Sequence, residues 1–174
     1  MGQVVKVVLR FREAFWENLS PAPVRLPRLS FLLSDDAVMP TWWSSYPLQA
    51  PILTGWVGGP RAARLANQPD AMIADEVIGA LARALSMERR DLEAQMEAWH
   101  LHNWSADPFA RGAYSYGRVG GLDAPRSLGA PVDGTLFFAG EATNGEGHSG
   151  TVHGALAMGL RAADQVVAQL GRGS

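Results

Sequence analysis

Residues 135–153 run Thr-Leu-Phe-Phe-Ala-Gly-Glu-Ala-Thr-Asn-Gly-Glu-Gly-His-Ser-Gly-Thr-Val-His, and they concentrate the chemistry of this chain. They read as a buried strand over Leu136 to Ala139, a glycine-rich loop carrying Glu141, and the start of a helix near Thr151. A helix start leaves backbone N–H groups unpaired and carries partial positive charge, so it can hold an anionic or electron-rich ligand. Gly140 and Glu141 follow the apolar run directly, which puts a carboxylate at the carboxyl end of a strand, where ligands collect in open α/β sheets. Lys6 is the second candidate. It is the single lysine among 15 basic residues, and it sits inside the apolar run Val4 to Phe11. Such a lysine either snorkels to solvent or places an ammonium where chemistry needs one. A third cluster, Trp104 to Tyr116, sets Trp104, Asp107 and Tyr114 among glycine, alanine and proline. Aromatic residues of this kind are either core or the wall of a binding cavity.

The pattern Gly145-x-Gly147-x-x-Gly150 before a helix imitates a dinucleotide fingerprint. A true fingerprint turns directly from strand into helix and has an acidic strand end about 20 residues further on. Here Gly140 to Asn144 intervene, so the glycines read better as a flexible loop over a ligand.

The elements that must position these groups follow from periodicity. Val4 to Phe11 alternates, with Val5, Val7, Leu9 and Phe11 on one face and Val4, Lys6, Val8 and Arg10 on the other. Pro21, Pro23 and Pro27 mark an irregular connection, and strands are expected over Leu29 to Leu33 and Ile52 to Val57. Met72, Ile73, Val77, Ile78, Leu81 and Leu85 have helical spacing within Asp70 to Met87. A short helix should start near Glu88 or Asp91, a strand should cover Trp99 to Trp104, and Asp107 to Pro131 reads as loop. The last helix should run from about Thr151 to Leu170, slim at Gly154, Ala155, Ala157 and Gly159. The sequence predicts an α+β fold: a mixed sheet with flanking helices, ending in a Rossmann-like βα unit.

Composition narrows the function classes. With 47% apolar and 18% charged residues the 174-residue chain is globular and can bury a core. A net charge of −2 gives no electrostatic case for nucleic acid or an anionic membrane. No apolar run approaches the ~18 residues of a membrane span, and the start lacks a signal-peptide layout, so a cytoplasmic location is expected. The absence of cysteine excludes disulfides and thiolate metal sites, and the four histidines lack carboxylates at ligand spacing, so no metal is expected. The near-absence of lysine fits a GC-rich bacterial genome.

Three stretches together resemble the FAD-dependent amine oxidases, the family of monoamine and polyamine oxidases and flavin-dependent histone lysine demethylases. They are Phe138 to Thr143 with Ser149 to Ala155 and Gly159 to Ala163; Gly2 to Trp16; and Trp104 to Tyr116. Trp42 to Trp56 is also similar to bacterial members, its aromatics reading as core between sheet and helices. The resemblance implies FAD, held non-covalently because no cysteine is available to attach it. It implies that Lys6 is the lysine that faces flavin N5 through a water. It implies further that Gly140, Glu141, Gly150, Thr151, Val152 and Trp104 contact the cofactor, with Glu141 accepting from cofactor hydroxyls. Tyr114 would line the substrate cavity. The opposing tyrosine of monoamine oxidases falls at Thr151, leaving His148 as the nearest ring on that side.

The resemblance covers only the C-terminal part of the family pattern. Its organisation would be a substrate-domain portion over residues 1–130 and a C-terminal piece of the FAD-binding domain over 131–174, without the N-terminal GxGxxG unit. The expected partners are a small-molecule amine and a separate flavin-binding chain or a second copy. Three functions remain open at this point: an amine oxidase whose other half is supplied elsewhere, a non-catalytic remnant or interaction domain, and another flavin oxidoreductase such as a desaturase or amino-acid oxidase.

Overall fold

The computed structural model describes residues 1–19 and 29–171. It divides into two compact units, one of Gln3–Gly112 and one of Met1–Gly2 with the chain from Ala113 onward. The connection expected around Pro21, Pro23 and Pro27 lies outside the described residues.

The larger unit is built on β1 (Val4–Phe11), β2 (Phe31–Leu33), β3 (Thr41–Ser44), β4 (Ile52–Gly58) and β5 (Met96–Leu101). They form one sheet in the order β2-β3-β4-β1-β5, antiparallel at every pairing rather than mixed. The alternation of β1 is realised: Val5, Val7, Leu9 and Phe11 are buried, whereas Lys6 and Arg10 are exposed. The buried face is covered by α1 (Gly59–Ala66) and α2 (Asp70–Ala84), which contribute Ala62, Leu65, Ile73, Val77 and Leu81 to one core, with Leu92 from α3 (Arg89–Gln95). Phe11, Phe15 and Trp16 close one end of that core edge-to-face, with ring centroids 5.1–5.8 Å apart. Such pairs add about 0.5–1.5 kcal/mol each beyond their burial.

Several expected elements are shifted or new. The strand expected over 99–104 lies earlier, at Met96–Leu101, because α3 ends at Gln95 and the chain turns into the sheet at once. The helix expected to reach Met87 ends at Ala84, and Met72 points to solvent although it has helical spacing. β3 and α1 were not foreseen. Trp42, within β3, is fully buried and donates its indole N–H to the Met39 carbonyl at 3.0 Å. α1 begins at Gly59 with φ +67° and has Pro60 in its first turn, where a missing N–H costs nothing.

Asp36 ties the β2–β3 turn to α2. Its Oδ1 accepts from the Val38 and Met39 N–H groups at 2.8 and 3.1 Å, and its Oδ2 from Arg83 Nε at 2.8 Å. Burial raises the pKa of this carboxyl, but the Arg83 hydrogen bond and the two backbone donors outweigh it and hold it below the ordinary carboxylate range. Asp36→Asn keeps an oxygen for both backbone donors and loses only the pairing with the largely exposed Arg83. It should therefore cost about 1 kcal/mol in urea melts, and Asp36→Ala, which also orphans the donors, about twice that.

The smaller unit contains α4 (Ala124–Leu128), inside what reads as loop, and α5 (Val152–Leu170). α5 starts where expected, with Thr151 as its N-cap. The strand expected over 136–139 is not formed. Leu136 makes only an isolated bridge to Val132, and Leu136 and Phe138 are 57% and 38% exposed. A strand needs a neighbour to take its N–H and C=O groups, and the described residues supply none there. The terminal βα unit is accordingly a helix preceded by irregular chain.

Candidate functional site

In the larger unit the exposed face of β1 holds the sequence-predicted Lys6. Lys6 lies opposite Trp56 of β4. On its other side, the register that pairs Val7 with Leu101 and Val8 with His100 brings His102, one residue beyond β5, opposite Lys6. Lys6, Val8, His100, Leu101, His102 and Trp104 line an open hollow of ≈ 220 Å³. Lys6 thus contributes the one amine among the side chains of the hollow, set between an aliphatic floor and aromatic walls.

The turn after β5 holds Trp104 in place. Asp107 Oδ1 accepts from the Phe109 and Ala110 N–H groups, both at 2.9 Å, and Gly112 N–H donates to the Trp104 carbonyl at 3.0 Å. Those two N–H groups, Ala110 first, hold the Asp107 carboxyl below its ordinary range. Asp107 Oδ2 faces His102 Nε2 at 3.7 Å, and the His102 ring stands edge-on to Trp104 with centroids 4.3 Å apart. Trp104 is 48% exposed, so it is a wall and not core.

In the smaller unit Glu141 organises the loop before α5. Its Oε1 accepts from the Ser115 N–H at 2.8 Å; its Oε2 accepts from the Ser115 hydroxyl at 2.5 Å and the Gly150 N–H at 2.6 Å. Burial raises the Glu141 pKa, but the hydrogen bonds from Ser115 and Gly150 prevail and keep it below the ordinary range. Asn144, almost fully buried, accepts from the Glu146 and His148 N–H groups through Oδ1, both at 3.0 Å. The Thr151 hydroxyl donates to the His148 carbonyl at 2.6 Å and accepts from the Gly154 N–H at 3.1 Å. A Cβ on Gly154 would collide with that same carbonyl, so glycine here is what lets the loop lie against the helix. Gly140 and Gly150 have φ of +112° and +73°, which side-chain-bearing residues rarely adopt. Tyr114 is fixed by Gly2, which donates to its carbonyl at 2.6 Å, and its ring lies against Gly150. His148 Nδ1 and His153 Nε2 approach to 3.2 Å, both rings exposed.

The expected site residues fall into two groups, one in each unit. Lys6 and Trp104 share the hollow in the larger unit. Gly140, Glu141, Gly150, Thr151, Val152, Tyr114 and His148 gather around the start of α5 in the smaller. Among the described residues the N–H groups of Thr151, Val152 and His153 find no protein acceptor. Three free donors at the start of a 19-residue helix can receive an anionic or electron-rich group. Sequence reading missed Ser115, Asn144 and the His102–Asp107 pair. Only the Asn144 and Asp107 turns carry a local signal, since both side chains cap N–H groups two to four residues ahead.

A family model described as flavin containing amine oxidoreductase matches residues 1–167. Over 175 aligned residues the chain is 33% identical to histone demethylase-like protein A of Aspergillus fumigatus, covering 95% of this chain and 16% of that protein. It is 35% identical over 171 residues to polyamine oxidase 3 of Oryza sativa subsp. japonica, covering 95% of this chain and 32% of the relative. A solved putrescine oxidase, redesigned in its cofactor binding, superposes with a TM-score of 0.74 over 97% of this chain and 36% of its own, at 22% identity. That last likeness speaks for the fold alone. The chain spans about a third or less of the length of these relatives. The chain belongs to the flavin-containing amine oxidoreductase family, whose cofactor is FAD.

Proposed function

We propose that this chain carries the reaction side of a FAD-dependent amine oxidase, completed by the remainder of that fold. The observation that carries the reading is Lys6. The single lysine of the sequence stands on the exposed face of a strand whose other residues, apart from the ion-paired Arg10, are apolar, at a hollow walled by Trp104. Lys6 would hold an ammonium, and the water it orders, against the reacting edge of the flavin. In the larger unit Trp104 would give that edge an aromatic support. In the smaller unit the Thr151 and Val152 N–H groups, with Gly140 and Gly150 shaping their loop, would receive an electron-rich group of the cofactor. Glu141 serves by keeping Ser115 and Gly150 in place, with one Oε1 lone pair left for a cofactor hydroxyl. Tyr114 and His148 would orient the amine. When bound, FAD supplies the two-electron acceptor for hydride from the amine α-carbon and passes the electrons to O2, giving hydrogen peroxide. Water then hydrolyses the imine to an aldehyde and ammonia or a smaller amine. Combining the chain with a GxGxxG-bearing flavin half should give a yellow complex that releases peroxide when amines are added. A colourless mixture, or a yellow complex inert to amines, overturns the proposal.

The remainder of the fold has a surface to meet. Val152, Leu156, Leu160, Val167 and Leu170 form one stripe along α5, each 67–79% exposed, while the opposite side buries only Gly154 and Met158. An apolar stripe this long is an association surface. Because the chain matches only 36% of the solved relative, we assign the stripe to the missing part of the fold. Leu160→Glu should leave the melting of the chain unchanged and weaken binding of the flavin half by roughly 30-fold, since one buried leucine contributes about 2 kcal/mol. Titration of the two halves by flavin fluorescence reads this directly.

A further inference from the structure

We propose that His102, oriented by Asp107, is the proton acceptor of the Lys6 hollow, taking the proton that a substrate ammonium must shed before oxidation. The role rests on the amine oxidase reading. An aliphatic amine near neutral pH is an ammonium without a lone pair, whereas loss of hydride from its α-carbon requires that lone pair to form the C=N bond. The N–H bond must therefore break first, its electrons staying on nitrogen and its proton going to a base. A base that works near neutral pH is most readily an imidazole. The Lys6 ammonium is a donor only, which leaves His100 and His102 among the groups lining the hollow.

Geometry favours His102. It lies across from Lys6 in the strand register, and its ring is held edge-on against Trp104. Asp107 is pinned through Oδ1 by two backbone donors, which leaves Oδ2 facing His102 Nε2 at 3.7 Å. A carboxylate facing Nε2 at this distance favours by charge the neutral ring with its proton on Nε2 and its lone pair on Nδ1, and it offsets the charge of the imidazolium formed on proton capture. His100, across from Val8, has no carboxylate within ion-pair distance among the described residues. The groups that bear on His102 are Lys6 from β1, His100 from β5 and Asp107 from the following turn; further along the face Arg10 is paired with Glu97 at 3.1 Å. The His102 side chain is 59% exposed, so the captured proton can leave to bulk water and the neutral ring is restored for the next turnover.

Two measurements test the proposal. On the chain itself, long-range 1H–15N imidazole spectra should show neutral His102 as the Nε2–H tautomer. That preference should be lost in Asp107→Asn, whose side-chain oxygen still satisfies the Phe109 and Ala110 donors. An Nδ1–H tautomer, or no change in the variant, overturns the pairing. In the complex with the flavin half, His102→Gln should slow anaerobic amine oxidation roughly tenfold and flatten the rise of rate with pH. That is below the usual ~10² for a positioned base because water can substitute in an open hollow. Amine oxidation with an unchanged rate and pH profile in His102→Gln overturns the proton role and leaves the amine oxidase reading standing. Absence of amine oxidation by the unsubstituted complex overturns that reading together with the role.

Discussion

Glu141→Gln is expected to loosen the loop before α5 by about 3 kcal/mol, nearly as much as Glu141→Ala, although glutamine keeps the shape of the side chain. The reason is a count of donors. Three point at the carboxylate: the Ser115 N–H on Oε1, and the Ser115 hydroxyl and Gly150 N–H on Oε2. The hydroxyl can rotate away, but the two backbone N–H groups cannot. Whichever way a glutamine amide is turned, its NH2 meets one of them donor to donor. Hydrogen exchange should accelerate at both the Ser115 and Gly150 amides in Glu141→Ala, and in Glu141→Gln at least at the one that meets the NH2 group, without any cofactor present. Full protection in Glu141→Gln would mean that the carboxylate is not the staple of this loop.

The same group gives the smaller unit an acid limb. The Glu141 pKa is lower folded than its ordinary value of 4.5, because the hydrogen bonds from Ser115 and Gly150 outweigh the effect of burial. Between the two values the unfolded chain binds more protons than the folded one. The stabilisation is therefore fully present above about pH 4.5 and is lost as pH falls through the folded value. In Glu141→Gln this limb should vanish from the pH dependence of protection at Gly150, because nothing is left there to titrate.

What the sequence disclosed and what it hid divide along a physical line. β1 was legible to the residue because alternation is a local signal, and the exposed position of Lys6 follows from it. The start of α5 was legible because Thr151 is a capping residue, and the structure uses it as one. The run Leu136 to Ala139 misled because apolar content alone specifies burial somewhere, not a strand; the partner that would complete one is missing from the described residues. The staple of Glu141 to Ser115 spans 26 positions and had no local trace, so Glu141 read only as a cofactor ligand. His102 was hidden for a similar reason. Its place opposite Lys6 depends on the pairing of β1 with β5, two strands about ninety residues apart, and on the turn that aims Asp107 back at it. The fingerprint-like glycines show the converse: Gly147 and Gly150 have positive φ in a loop that precedes the helix, so at these positions the pattern reports backbone freedom.

Lys6→Met should leave the fold intact and slow amine oxidation by roughly 10²–10³-fold, the usual effect of removing one preorganised donor from a reacting centre. The two halves of that expectation have separate grounds. Lys6 is exposed on the sheet face, and methionine retains most of its stem, so melting should change by no more than about 0.5 kcal/mol. The rate falls because Lys6 is the one ammonium among the groups lining the hollow, and nothing else there replaces its three donors. Lys6→Arg tests whether charge alone suffices. A planar guanidinium is larger, disperses its charge and presents its donors in a rigid fork, so it should recover little of the lost rate. The measurement is anaerobic single-turnover reduction in the complex with the flavin half, with melting of each variant alongside. Unchanged reduction in Lys6→Met would make Lys6 an ordinary snorkelling side chain and return weight to another flavin chemistry on this scaffold. A parallel loss of melting temperature and rate would assign the effect to the sheet. A large loss of rate at constant stability is the result that a functional lysine on the exposed face of β1 requires.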